Sequence, residues 1–161
     1  MVSFPTQALF RNRALGLVLI AAAAFTASFG AVAAGWEAAP AANEQVDDFA
    51  AGKKAIDAKD WKLAVGKFSD VVVQDPKNAD AYNYLGYSYR WLGQYDNAFA
   101  AYGKALALAP NHKGALNYSG IAYLKVGKVD LAQAQLAKLQ SVCAQCDETL
   151  QLTKAIAEFT V

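Results

Sequence analysis

The sequence predicts an all-α chain, an array of antiparallel helix pairs closed at its C-terminal end by one further helix. Three observations carry this. The stretch from Ala79 to Asn111 has the spacing of a helix, a tight turn at Gly93 and a second helix ended by Pro110. Its landmark residues recur in part about 34 residues to either side, the sign of a repeated helix–turn–helix unit. A chain of 161 residues with 55% hydrophobic content is also large enough to bury one sizeable core.

In chain order, residues 1–33 read as a secretory leader. Arg11 and Arg13 form a positive n-region, Ala14 to Phe29 is an almost continuous apolar run, and Ala31-Val32-Ala33 is a small-residue cleavage site. Cleavage is expected before Ala34. As an uncleaved anchor the run is short of the roughly 20 residues a spanning helix needs and is rich in weakly hydrophobic alanine. The destination is then a bacterial periplasm or beyond, with no stable membrane insertion after cleavage. Removing the leader leaves 13 basic against 14 acidic residues, a balance that argues against nucleic acid as the main partner. Residues 34–42 shift to Gly, Ala and Pro and read as a flexible lead.

Helical order is expected from Asn43 as N-cap, with Glu44, Asp47 and Asp48 in the first turns. The first copy, residues 45–78, keeps Gly52, Ala64, Phe68 and Pro76 but has Asp48, Ala51, Ala55 and Val71 at the other landmarks. The central copy, residues 79–112, carries the full set: Tyr82, Leu85, Gly86, Tyr89, Ala98, Tyr102, Ala105 and Pro110. These residues resemble the tetratricopeptide repeat (TPR), whose pattern of about 34 residues sets an aromatic, Leu-Gly, Tyr, Ala, an aromatic, Ala and Pro at these separations. The resemblance implies a superhelical solenoid of antiparallel helix pairs that serves as an interaction scaffold.

The third copy, residues 113–146, keeps Gly120, Tyr123 and Ala132, replaces other landmarks with Leu116, Leu136 and Leu139, and departs at Ser119 and Ala144. With the proline missing, it reads as the closing copy. Residues 147–161 follow as a capping helix, with Leu150, Leu152, Ala155, Ile156 and Phe159 placed toward one side. The mid-helix glycines 52, 86 and 120 each cost about 1 kcal/mol against alanine, which predicts close approach of a neighbouring helix.

In this architecture the resemblance places binding on the concave face, lined by the first helix of each pair. Helical spacing puts Val46, Phe49, Lys53 and Ile56 there from the first copy, Asp80, Asn83, Tyr87 and Arg90 from the second, and Gly114, Asn117, Ile121 and Leu124 from the third. Tyr84, Trp91 and Tyr118 lie at its margin. The expected partner is a protein or peptide, held as an extended or amphipathic segment. Asn83 and Asn117 would stack as an amide ladder for its backbone, apolar neighbours would form pockets, and Arg90 would meet a carboxylate or an aromatic face. Chaperone-binding TPR domains grip a terminal carboxylate through Lys and Asn side chains. At those places this chain has Phe49, Tyr84, Gly114 and Tyr118, with Lys53 alone in register, so that clamp is not expected.

Cys143 and Cys146 are the two cysteines of the chain. In an exported protein they are expected to form a disulfide that fixes the exit angle of the capping helix. Two alternatives stand beside it: a redox pair near a helix start, and a metal site with His112. The pairing of such a segment with a repeat array resembles small exported bacterial TPR proteins. No phosphate loop, zinc-protease helix or nucleophile elbow occurs, so neither catalysis nor a cofactor is expected.

Overall fold

A computed structural model describes residues 47–159. The leader (1–33), the lead (34–42), Asn43 and Val46 lie outside the described residues. Seven helices follow one another: α1 (Asp48–Asp57), α2 (Trp61–Gln74), α3 (Ala79–Trp91), α4 (Tyr95–Leu108), α5 (Lys113–Lys125), α6 (Val129–Val142) and α7 (Asp147–Phe159). No strand occurs among the described residues.

Two kinds of junction alternate, and each has a local cause. Within a pair, the first helix ends in a left-handed residue: Lys59 (φ 57°), Gly93 (φ 72°) and Gly127 (φ 74°). The residue after each donates back to a carbonyl of the last helical turn, Asp60 to Ala55 (2.8 Å), Gln94 to Tyr89 (2.9 Å) and Lys128 to Tyr123 (2.9 Å). This is the Schellman arrangement, which favours glycine at the left-handed position; Lys59 adopts it with a side chain. Between pairs, the second helix ends in extended backbone at Asp75, Ala109 and Cys143. A side-chain cap then opens α3 through Asn78 and α5 through His112.

Helix α1 is capped at Asp47, whose carboxylate accepts from Phe49 N (3.1 Å) and Ala50 N (3.2 Å). Asp47 has extended backbone immediately before the first helical residue, which brings its carboxylate to the free N–H groups of the first turn.

The mid-helix glycines are explained by what lies over them. A Cβ on Gly52 would sit 2.8 Å from Phe68, and one on Gly86 2.7 Å from Tyr102, the ring of the second helix in the same pair. In the third pair that role passes out of the pair. The Gly120 position is closed by Leu152 of α7, whose Cδ2 would lie 2.6 Å from an added Cβ. Leu136, smaller than the corresponding rings, leaves room that α7 fills. Leu152 is fully buried with Leu116 and Leu139, and Ile156 packs against them. Leu150 and Phe159 do not join this face; they are 57% and 49% exposed, because α7 is held through Thr149, Leu152 and Ile156. No helix among the described residues is long and apolar enough to cross a membrane.

Candidate functional site

The first helices α1, α3 and α5 carry two groups of aromatic side chains, each completed by a ring from α2. Phe49 of α1 meets Phe68 and Tyr84 edge-on at ring separations of 5.5 and 5.7 Å, while Tyr84 stacks on Phe68 at 5.2 Å. Lys53 Nζ donates to the Tyr84 hydroxyl (3.2 Å) and lies 5.0 Å from its ring centre. Further along α3, Tyr87 contacts Tyr118 of α5 at 4.8 Å, and Trp91 stacks face to face on Trp61 at 5.1 Å with an interplanar angle of 7°. Trp91 remains 51% exposed. Tyr87 closes the group, edge-on to both indoles at 6.0 and 6.2 Å.

Arg90 sits among these rings. Its guanidinium carbon is 5.0 Å from the Tyr87 centre, 5.1 Å from Trp91 and 5.9 Å from Tyr118. Ring quadrupoles attract the cation without neutralising it. The four ion pairs among the described residues join Lys67 to Asp48, His112 to Asp80, Lys113 to Glu148 and Lys154 to Glu158, so none of them takes Arg90. Its Nε is buried without a protein acceptor. Tyr102 lies near this cation without making a full hydrogen bond to it; burial drives its hydroxyl pKa far above the ordinary range, against the pull of Arg90. Burial, and then the nearby Tyr87 and Tyr84 hydroxyls, also raise Tyr118. Tyr102 and Tyr118 are thus held protonated, and Arg90 supplies a charge that a carboxylate could answer.

Residues 79–112 match the family profile described as the tetratricopeptide repeat. No curated protein matches the chain in sequence. Among solved structures the chain is similar to the TPR2B domain of yeast Sti1 in its pHsp70 complex, at 19% identity over 70% of this chain and 93% of that one (TM-score 0.66). It is similar also to the second TPR domain of human RPAP3 in complex with an HSP70 peptide, at 15% identity over 72% and 94% (TM-score 0.65). A third is the Yersinia enterocolitica type III secretion translocator chaperone SycD, at 16% identity over 70% and 81% (TM-score 0.64). The fold is a TPR solenoid.

Within this TPR frame, the residues proposed from sequence separate into two groups. Phe49, Lys53 and Tyr84 come together in one group and Tyr87, Arg90, Trp91 and Tyr118 in another, and Ile121 lies half-buried against the α7 cluster. Asn83 and Asn117 do not form the expected ladder. They are 4% and 0% exposed. Asn83 packs against the Gly114 backbone, 3.2 Å from where a Cβ would stand, and Asn117 Nδ2 donates to Gln151 Oε1 of α7 at 3.0 Å. Both side chains are turned toward the next first helix, and the Oδ1 of each is buried without a hydrogen-bond partner. Trp61 was missed by following first helices only. Its repeat-equivalent Tyr95 is also aromatic, which is the sequence signal that could have found it.

At the far end, the expected Cys143–Cys146 disulfide is not formed; both thiols are free and half-exposed. Cys143 is the extended C-cap of α6, and the Cys146 thiol donates to its carbonyl (3.3 Å). His112 does not join them. Its Nδ1 accepts from Ala115 N (3.2 Å) as the α5 cap, which leaves Nε2–H to donate to Asp80 (2.9 Å), so both ring nitrogens are engaged. No group of three metal-capable side chains occurs among the described residues.

Proposed function

We propose that this chain is an exported interaction scaffold that holds an extended or amphipathic segment of a partner protein along its concave face. A carboxylate of that segment lies over Arg90, and its apolar side chains lie on Trp91, Tyr87 and the rings toward Phe49. The observation that carries the reading is Arg90: a cation set among three rings, with a partly buried guanidinium and no acid paired with it among the described residues. A charge so placed gains most from a bidentate carboxylate brought in by a ligand. An exposed indole beside it is the residue type that dominates binding energy at interfaces. Proteins of similar fold are found with partners, the yeast Sti1 domain with pHsp70 and the human RPAP3 domain with an HSP70 peptide, and SycD is a translocator chaperone.

The leader reading of residues 1–33 adds the compartment, and the partners we favour are proteins of the bacterial envelope that need assistance in assembly. Intact mass of the protein recovered from periplasm tests this part: the chain should begin at Ala34.

The groove is tested with peptides selected from a random extended-peptide display library on the wild-type chain. Binders should share an acidic residue beside apolar ones. Arg90→Ala or Trp91→Ala should weaken them at least tenfold, about 1.4 kcal/mol, while Leu150→Ser on exposed α7 should leave affinity unchanged. Equal binding to all three variants would remove the concave face as the site.

A further inference from the structure

The two cysteines stand at positions the repeat has already defined. Asn78, His112 and Cys146 are equivalent, each immediately before a first-type helix. In α3 and α5 the cap side chain takes the third N–H of the helix, Asn78 Oδ1 from Ala81 (2.9 Å) and His112 Nδ1 from Ala115 (3.2 Å). Before α7 the capping residue is a cysteine. Its carbonyl accepts from Thr149 N (3.0 Å) and Leu150 N (3.1 Å), and its sulfur is 3.4 Å from the Thr149 hydroxyl. Cys143 holds the place taken by Asp75 and Ala109, the extended residue that ends the preceding helix. A repeat junction has thus been used to set two free, half-exposed thiols side by side at the N-terminus of a helix.

We propose that Cys143 and Cys146 form a thiol–disulfide exchange site, with Cys146 the attacking sulfur and Cys143 the resolving one, acting on an exposed disulfide of another protein. The inference does not depend on the groove. The two sulfurs are unlike. Partial burial would raise the Cys146 thiol, but hydrogen bonding from the Cys143 thiol, and after it the contacts with Thr149, hold the group below its ordinary value, with Glu148 opposing. Cys143, hydrogen-bonded to Cys146 and partly buried, is held above its own. A thiolate at a helix N-terminus is the more populated nucleophile. Thr149 also fixes the geometry, because its buried hydroxyl donates to the Cys143 carbonyl at 2.6 Å and keeps the two cysteines at one corner.

The Cys146 thiolate attacks one sulfur of the partner disulfide, forming a mixed disulfide and releasing the other partner sulfur as a thiolate. Cys143 then loses its proton and attacks Cys146 Sγ, which closes the Cys143–Cys146 disulfide and releases the second partner sulfur. The partner disulfide gains two electrons and two protons, and the cysteine pair loses both.

The test uses the reduced full chain with oxidised glutathione, read by mass spectrometry. Wild type should proceed to the internal disulfide without accumulating an adduct. Cys143→Ser should stop at one glutathione on Cys146, at close to the wild-type first-step rate, and Cys146→Ser should react about tenfold more slowly. In mixed glutathione buffers the wild-type pair should populate both redox forms. Faster reaction at Cys143 than at Cys146, no reaction at either, or a pair that stays oxidised at every glutathione ratio, as a fixed clasp would, overturns the proposal. Helical circular dichroism of both serine variants should match wild type, which ties any rate change to the sulfurs.

Discussion

Replacing Gly86 with alanine isolates the contact on which the central pair is built. On an open helix the change would stabilise by about 1 kcal/mol, the propensity difference between the two residues. Here the new methyl would stand 2.7 Å from both Cδ1 and Cε1 of Tyr102 and 3.1 Å from Cγ, against an ordinary carbon–carbon separation of about 3.5–4.0 Å. The obstacle is the body of a ring that is 1% exposed, not the end of a flexible chain, so it cannot swing aside. Overpacking of this kind costs about 1–3 kcal/mol. With an overlap near 1 Å the upper part of that range applies, and after the propensity gain the net loss is about 2 kcal/mol, or roughly 5–10 °C in the thermal midpoint. Gly103 on α4 is the control: it is exposed, with nothing within 4 Å of an added Cβ. The same substitution there should stabilise by about 0.5–1 kcal/mol. Urea unfolding followed by helical circular dichroism measures both. Adding Tyr102→Leu, the residue type the third repeat carries as Leu136, should recover part of the Gly86→Ala loss. A Gly86→Ala protein as stable as the Gly103→Ala protein would refute the argument that ring-over-glycine packing joins these helices.

Three other outcomes follow from the junctions and the one strong surface pair. Lys59→Gly should stabilise by about 1 kcal/mol, since a side chain in the left-handed region is strained and glycine is not; thermal unfolding checks it. His112→Ala should cost about 0.5–2 kcal/mol through loss of the α5 cap, and His112→Asn should restore most of it in the same assay. The pair Asp48–Lys67 (2.9 Å) gives a pH signature. Hydrogen bonds from Lys67, then Gln74, hold Asp48 below its ordinary value of 3.8, so its contribution is present above about pH 4 and is lost as pH falls through the depressed value. Lys67 is raised above 10.5 by Asp48, so its share is present below that and lost as pH rises further. Asp48→Asn should flatten both limbs of the stability–pH curve, and an unchanged acid limb would contradict the pairing.

The helices were legible because their ends are written in residues with one conformational use. Gly93 and Gly127 mark left-handed turns, and Pro76 and Pro110 follow the second helices of the first two pairs. The packing glycines were legible for the same reason, since glycine is poor in a helix unless something crosses it. What escaped depends on neighbours distant in sequence. The i+3 and i+4 stripe gathers first-helix side chains, but it cannot say which point outward and which are covered by the next pair. Asn83 and Asn117 therefore read as a ladder when they are interhelical contacts. Apolar spacing groups Leu150 and Phe159 with the α7 core face, whereas the helix is set by Leu152 entering the place over Gly120. Arg90 was visible as a candidate; the enclosure by Tyr87, Trp91 and Tyr118 that gives it meaning exists only once α3 and α5 are adjacent.

The measurement closest to the central claim is the location of a selected acidic–apolar peptide on the folded chain, mapped by backbone amide shifts with Trp emission alongside. Binding at the concave face should move the amides around Tyr87, Arg90, Trp91 and Tyr118 and alter the emission of the Trp61–Trp91 stack, and both changes should vanish in Arg90→Ala. Shifts confined to α4, α6 or the exposed side of α7, with the indole emission unchanged, would contradict it.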